Sequence, residues 1–194
     1  MKGRSLLLIA GAAAIVGCGD PTRPVAANNT IGALLTVFAF SGTPLSAPTA
    51  INTLGARTVV ASGSSNFDVV FDIRDGQAVA IPPLAIIGIG NAAIQKVSVP
   101  FDSLNVAPVD GYNDSSAVAI GVGDVLAVRS QPVECSNAFG LSPFIYSKMV
   151  VKAINASDTS TTGDNAMPPR TIQLDMVVDP NCNFRSLAPG VPTS

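Results

Sequence analysis

In two segments of the chain every second residue is apolar and most residues between them are polar, the period-2 pattern of a half-buried β-strand. In residues 67–73 the apolar positions are Phe67, Val69, Phe71 and Ile73. Asp68 and Asp72 occupy the opposite face, so we expect both carboxylates to face solvent. Residues 172–178 repeat the pattern, with Ile172, Leu174, Met176 and Val178 on one face.

Other apolar segments between turn residues predict further strands at 34–40, 58–61, 78–81, 84–87, 94–101, 117–122, 124–128 and 144–154. No stretch longer than about ten residues shows a helical 3.6-residue stripe. The spacing of turns predicts an all-β fold, an antiparallel β-sandwich of about 7–9 strands. It would be immunoglobulin-like in architecture only, because the chain has no Trp. A β-barrel is the alternative.

Glycines predict where strands turn. Asp75-Gly76 supplies the positive-φ positions of a tight hairpin after residues 67–73, and Pro82-Pro83 ends the returning strand. Gly88-Ile89-Gly90-Asn91-Ala92-Ala93 matches the dinucleotide pattern G-x-G-x-x-A, but a strand pattern, not a helix, follows it. We interpret the segment as a turn and predict no cofactor.

The N-terminus has the form of a signal peptide. Lys2 and Arg4 precede an apolar run over residues 6–16, roughly 16 Å of helix, whereas a spanning helix needs about 20 residues. The run ends in Ile15-Val16-Gly17-Cys18, which resembles the lipobox of bacterial lipoproteins. An ordinary signal peptide that happens to contain a cysteine is the alternative.

The resemblance implies that residues 1–17 are removed and that the Cys18 sulfur carries lipid. Residues 18–32 would then form a flexible tether, and 33–194 a single β-sandwich domain. Gly19, rather than Asp, follows the cysteine, which favours the outer membrane within the bacterial cell envelope. The rest of the chain resembles small β-rich lipoproteins that have no assigned activity.

If lipid occupies Cys18, Cys135 and Cys182 remain as an even pair in an oxidising compartment. A structural disulfide is the default there, and closing a loop of about 48 residues stabilises by roughly 4 kcal/mol in the chain-entropy picture. Two free buried thiols are the alternative.

The composition of the chain limits which partners, catalytic groups and metal sites it can have. Of 194 residues only 12% are charged, the net charge is −2, and there is no His. The charge disfavours a nucleic-acid partner, and the missing His excludes Ser-His-Asp catalysis and His-ligated zinc. Asp68 and Asp72 lie roughly 13 Å apart along their strand, beyond the separation of about 5–9.5 Å in glycosidase carboxylate pairs.

Residues 110–115 concentrate oxygen ligands in one loop. Asp110, Asn113 and Asp114 are weak calcium candidates, but the spacing does not fit an EF-hand, and a solvated turn is the favoured interpretation. The sequence thus predicts a lipid-anchored envelope protein with a binding or structural role, not an enzyme. Its partners would be the membrane, through Cys18, and an envelope protein or glycan. The alternative is an envelope hydrolase or transglycosidase that uses carboxylates.

Overall fold

The computed structural model describes residues 27–61, 66–134, 143–158 and 169–190. Within these residues, ten strands form two antiparallel five-stranded sheets, with orders β1-β10-β9-β8-β6 (first sheet) and β3-β2-β4-β5-β7 (second sheet). The strands are β1 Thr30–Phe38, β2 Ala50–Asn52, β3 Arg57–Val59, β4 Val69–Arg74, β5 Gln77–Ile81, β6 Ala93–Val97, β7 Val118–Ala119, β8 Val125–Arg129, β9 Tyr146–Asn155 and β10 Thr171–Asp179.

The two sheets pack face to face and are not joined into a closed barrel. The predicted β-sandwich is therefore confirmed, and the barrel alternative is wrong. The described residues hold ten strands rather than the expected 7–9. The pattern missed β2, because three residues are too few to show a period.

The main core lies between the sheets and uses the alternating positions of β4 and β10. Val69, Phe71 and Ile73 are buried there, and so are the four predicted inward residues of β10, Ile172, Leu174, Met176 and Val178. Burying a side chain of this size fully stabilises by about 1.5–3 kcal/mol, so these two strands contribute much of the core.

The outer face of β4 is also buried, so the prediction that Asp68 and Asp72 face solvent is wrong. Asp68 is 3% exposed and Asp72 is 0% exposed. Val70 on the same face belongs to a second apolar cluster, where Phe67 and the partly buried Ile86 also pack. Phe67 therefore lies outside the inter-sheet core. Period-2 alternation distinguishes two faces, but it does not show what covers each face.

A short helix, α1 (Leu84–Ile87), supplies part of this cover, where the sequence predicted a strand. The preceding Pro83 is already helical, with φ −55° and ψ −40°. Proline suits the start of a helix, because its φ is preset and its missing N–H is not needed there. Gly88 ends the helix in a left-handed conformation at φ 70°. Pro82-Pro83 therefore follows the end of β5, as predicted, and also begins α1, which the pattern did not predict.

The predicted turns are confirmed. Arg74 pairs with Gln77, so the β4–β5 loop is Asp75-Gly76, with φ values of 50° and 78°. Gly90, at φ 123°, lies in the turn that leads into β6. The G-x-G-x-x-A segment is therefore a helix end and a turn, as interpreted. Among the described residues, no helix is long and apolar enough to cross a membrane.

Candidate functional site

Asp68, immediately before β4, ties the two sheets together. Its Oδ2 accepts a hydrogen bond from the Thr53 backbone N–H at 2.7 Å, and its Oδ1 accepts one from the Gln131 N–H at 2.6 Å. Thr53 follows β2 in the second sheet, and Gln131 follows β8 in the first. Burial raises the pKa of Asp68, and the two backbone hydrogen bonds oppose that rise. The carboxylate therefore serves as a bridge between sheets.

Further hydrogen bonds extend from this bridge across one end of the sandwich. The Gln131 side chain accepts from the Asn91 N–H at 2.7 Å. Ser130 Oγ accepts from Ile145 N–H at 2.9 Å. We call this the Asp68 end and define it by the bonded loop residues, which are Ala27, Thr53, Asp68, Asn91, Ser130, Gln131, Phe144, Asn181 and Asn183.

The C-terminal segment holds the beginning of the described chain at the Asp68 end. Asn181 Oδ1 accepts from the Ala27 N–H at 2.7 Å, and its Nδ2 donates to the Ala27 carbonyl at 2.9 Å. The fully buried Asp179 orients Asn181 by accepting from both its backbone and side-chain amides. Burial raises the pKa of Asp179. The position where the chain enters the domain is therefore fixed.

Asp72 organises the opposite end. Its carboxylate accepts from the Ser41 N–H at 2.9 Å, the Ser41 hydroxyl at 2.8 Å, the Ile73 N–H at 2.9 Å and Arg74 Nε at 2.9 Å. Burial alone would raise the pKa of Asp72, but the bonds from Ser41 and Arg74 outweigh it and lower the pKa. We call this the Asp72 end, defined by Ser41, Asp72, Arg74, Asp158 and Arg170.

Arg170 reinforces the Asp72 end. Its Nη2 donates to the Ser41 carbonyl at 3.1 Å and to the Ile73 carbonyl at 2.9 Å, while Nη1 lies 3.3 Å from an oxygen of the exposed Asp158. Its own carbonyl accepts from the Ala39 N–H at 2.7 Å. Each end of the sandwich thus has its own polar clamp, and the two carboxylates do not come together as a pair.

A cation–aromatic cluster covers the outer face of the first sheet. The Arg129 guanidinium lies 4.7 Å from the ring centre of Phe144 and 5.6 Å from that of Tyr112. Tyr112 also packs against Tyr146, with ring centres 6.4 Å apart. Burial raises the pKa of Tyr112. These residues come from three distant segments, so no local pattern in the sequence signals the cluster.

Lys148 is buried on the same face of the sheet. Its ammonium donates to the carbonyls of Phe101 and Leu104 at 2.8 and 3.0 Å and lies 4.8 Å from the Phe101 ring centre. Burial lowers the pKa of Lys148, and the nearby Asp102 opposes that shift. The preceding residue, Ser147, lies on the opposite face of β9, the face that carries Met149 of the inter-sheet core. Lys148 therefore caps the carbonyls of a 3₁₀ turn.

The calcium candidates form a turn. Asn113 Oδ1 accepts from the Ser115 and Ser116 N–H groups at 3.2 and 3.1 Å, while Asp110 and Asp114 are exposed. The part of the chain that the structure describes holds no group of three metal-ligating His, Cys, Asp or Glu residues. The favoured interpretation as a solvated turn agrees with these hydrogen bonds.

The cysteines are only partly covered by the structure. Cys182 is half-buried after β10 and packs against the inter-sheet core. Cys135 and Cys18 lie outside the described residues. The Cys135–Cys182 bridge and the lipid on Cys18 therefore stay predictions.

By its fold the chain is a two-sheet antiparallel β-sandwich protein. No protein-family model, curated protein or solved structure matches it.

Proposed function

We propose that this protein is a lipid-anchored β-sandwich of the bacterial cell envelope that acts by binding. The fixed entry of the chain at the Asp68 end carries the proposal. Ala27 is bonded to Asn181 there, and it lies only nine positions after Cys18. At the maximal span of a chain, nine residues reach about 30 Å. A lipid on Cys18 therefore keeps the Asp68 end close to the membrane.

The Asp72 end would then face away from the membrane. β10 has nine residues, so the two ends lie about 30 Å apart at roughly 3.3 Å per residue. The loops at the Asp72 end are held by Asp72 and Arg170. A rigid surface held away from the membrane suits recognition of an envelope protein or glycan.

The commitment of the acids to structure favours binding over carboxylate hydrolysis. Both oxygens of Asp68 and both oxygens of Asp72 accept hydrogen bonds from the protein itself. A general acid or nucleophile must instead reach the substrate. The hydrogen bonds of Asp68 and Asp72 therefore support a binding role over the hydrolase alternative.

Replacing Cys18 with Ser tests the anchor. The wild-type protein should carry the mass of the attached lipid and fractionate with membranes, because a thiol is required for that attachment. Cys18→Ser should lose both the mass and the membrane association. Cys182→Ser replaces a cysteine elsewhere in the chain and should keep the lipid mass. A wild-type protein without added lipid mass would refute the anchor.

Incubation with purified envelope glycan separates the two roles. A binding protein should sediment with the glycan and release no soluble fragments. Release of fragments by the wild-type protein, abolished by Asp68→Asn or Asp72→Asn, would instead support the hydrolase alternative.

A further inference from the structure

We propose that the Asp68 end is a membrane-docking surface, in which Leu54, Ile89 and Phe184 enter the interfacial region of the lipid bilayer. This inference rests on the proposed lipid anchor, because the anchor is what brings this end to the membrane. The occupant is the lipid surface itself rather than a second protein.

The three side chains project from three separate loops at the same end. Leu54 follows Thr53, Ile89 lies two residues before Asn91, and Phe184 follows Asn183. They are 50%, 57% and 36% exposed, respectively. Exposed large apolar side chains that share one end of a domain are candidates for contact with a membrane or a partner.

The loops that carry these side chains are held before any contact with lipid. Thr53 is bonded to Asp68, and Asn91 is bonded to Gln131. The Asn183 N–H donates to the Phe144 carbonyl at 2.9 Å. Since the loops are already ordered, docking loses little conformational freedom, and more of the apolar contribution appears as binding.

The polar residues around the three side chains suit lipid headgroups. Three exposed asparagines lie on the loops of this end, and their neutral amides can donate to phosphate and ester oxygens; they are Asn66, Asn91 and Asn183. Of the charged groups, Arg57 and Glu134 are exposed there. With charges of both signs, we expect apolar insertion to contribute more than attraction to anionic lipid.

The position of the tether selects the lipid surface as occupant. Residues 19–27 limit the distance between Ala27 and the lipid-bearing position to about 30 Å, and Ala27 is bonded at this end. The Asp72 end also exposes apolar side chains on loops, Leu45 and Val122, but it lies a strand length farther away. It therefore provides an internal control.

The absence of Trp from the chain allows a direct test with single tryptophan probes. The lipidated protein would be reconstituted into phosphatidylethanolamine–phosphatidylglycerol vesicles as Leu54→Trp, Ile89→Trp, Phe184→Trp and the control Leu45→Trp. The first three should emit at shorter wavelength and be quenched by lipids brominated along the acyl chain, since interfacial segments lie about 5–10 Å deep. Leu45→Trp should behave as in water. Equal, water-like emission from all four would overturn the docking surface.

A second measurement removes the anchor. The protein without residues 1–17 and with Cys18→Ser should partition weakly into the same vesicles. Replacing Leu54, Ile89 and Phe184 together with Asp should lower that partition coefficient about tenfold or more, whereas Leu45→Asp with Val122→Asp should leave it unchanged. Phe184 is only 36% exposed, so thermal unfolding of both variants is measured to show that each is folded at the temperature of the assay. If the triple variant still partitioned into the vesicles, and high salt abolished that binding, the attraction would be electrostatic and the proposal would be overturned.

The two proposals fail separately. A mature protein without lipid mass refutes the anchor, whatever the vesicles show. A lipidated protein whose probes at Leu54, Ile89 and Phe184 stay in water keeps the anchor and refutes the docking surface.

Discussion

Asp68 should be worth several kilocalories per mole to the fold, because it joins loops of both sheets. Asp68→Ala removes the acceptor for the N–H groups of Thr53 and Gln131. A hydrogen bond to a charged group contributes about 1.5–3 kcal/mol. Gln131 is only half-buried, so water can replace part of its bond, and the variant no longer buries a charge. We therefore expect a net destabilisation of about 3 kcal/mol.

Asp68→Asn refines the test, because it preserves size and removes charge. Its amide keeps one acceptor oxygen, while its NH₂ group must face the second backbone N–H. We expect a loss of about 2 kcal/mol. Urea unfolding at pH 7 measures both variants, and Asp114→Asn is the control, since exposed substitutions usually change stability by less than about 0.5 kcal/mol. If Asp68→Ala lost no more stability than Asp114→Asn, the bridge between sheets would be refuted.

The pH dependence of the Asp68→Asn penalty has a defined sign. Burial raises the pKa of Asp68 above its ordinary value of 3.8, so the folded protein binds this proton more tightly than the unfolded chain. The wild-type side chain then contributes most stability below pH 3.8, and part of this contribution is lost as pH rises through the folded pKa. The penalty should therefore be larger at pH 3 than at pH 7. A penalty that shrinks in acid would contradict the assignment.

Two further predictions concern Asp72 and the pair Cys135 and Cys182. Asp72→Asn should destabilise the protein by about 1–3 kcal/mol at pH 7, because one acceptor for Ser41 and Arg74 is lost. Since hydrogen bonding lowers the pKa of Asp72, this loss of stability, measured by urea unfolding, should decrease as the pH falls below 3.8. A loss that is the same at every pH would refute the prediction. Cys135→Ser and Cys182→Ser should each destabilise by about 2–5 kcal/mol and lower the midpoint of thermal unfolding by roughly 5–15 °C. The double variant should lose little more, since both changes remove one interaction; two free thiols in non-reduced protein by mass spectrometry would refute the bridge.

Local patterns determined several elements of this fold. The period-2 alternation of β10 placed Leu174 and Met176 in the core, and Asp75-Gly76 placed a two-residue hairpin. Both depend on interactions within a few residues, namely the alternation of side chains along a strand and the backbone freedom at positive φ. Such features are readable because the chain neighbours that define them are also neighbours in space.

What covers each strand was decided only by the tertiary structure. An acid that alternates with apolar residues indicates a solvent face, yet Asp68 and Asp72 are buried, because distant segments pack over β4 and bring their N–H groups to both carboxylates. The same holds for the Asp68 end, where Leu54, Ile89 and Phe184 lie on loops that are far apart in sequence. Burial and the sharing of hydrogen bonds across long separations depend on how sheets and loops assemble, and a period along one strand carries no information about that assembly.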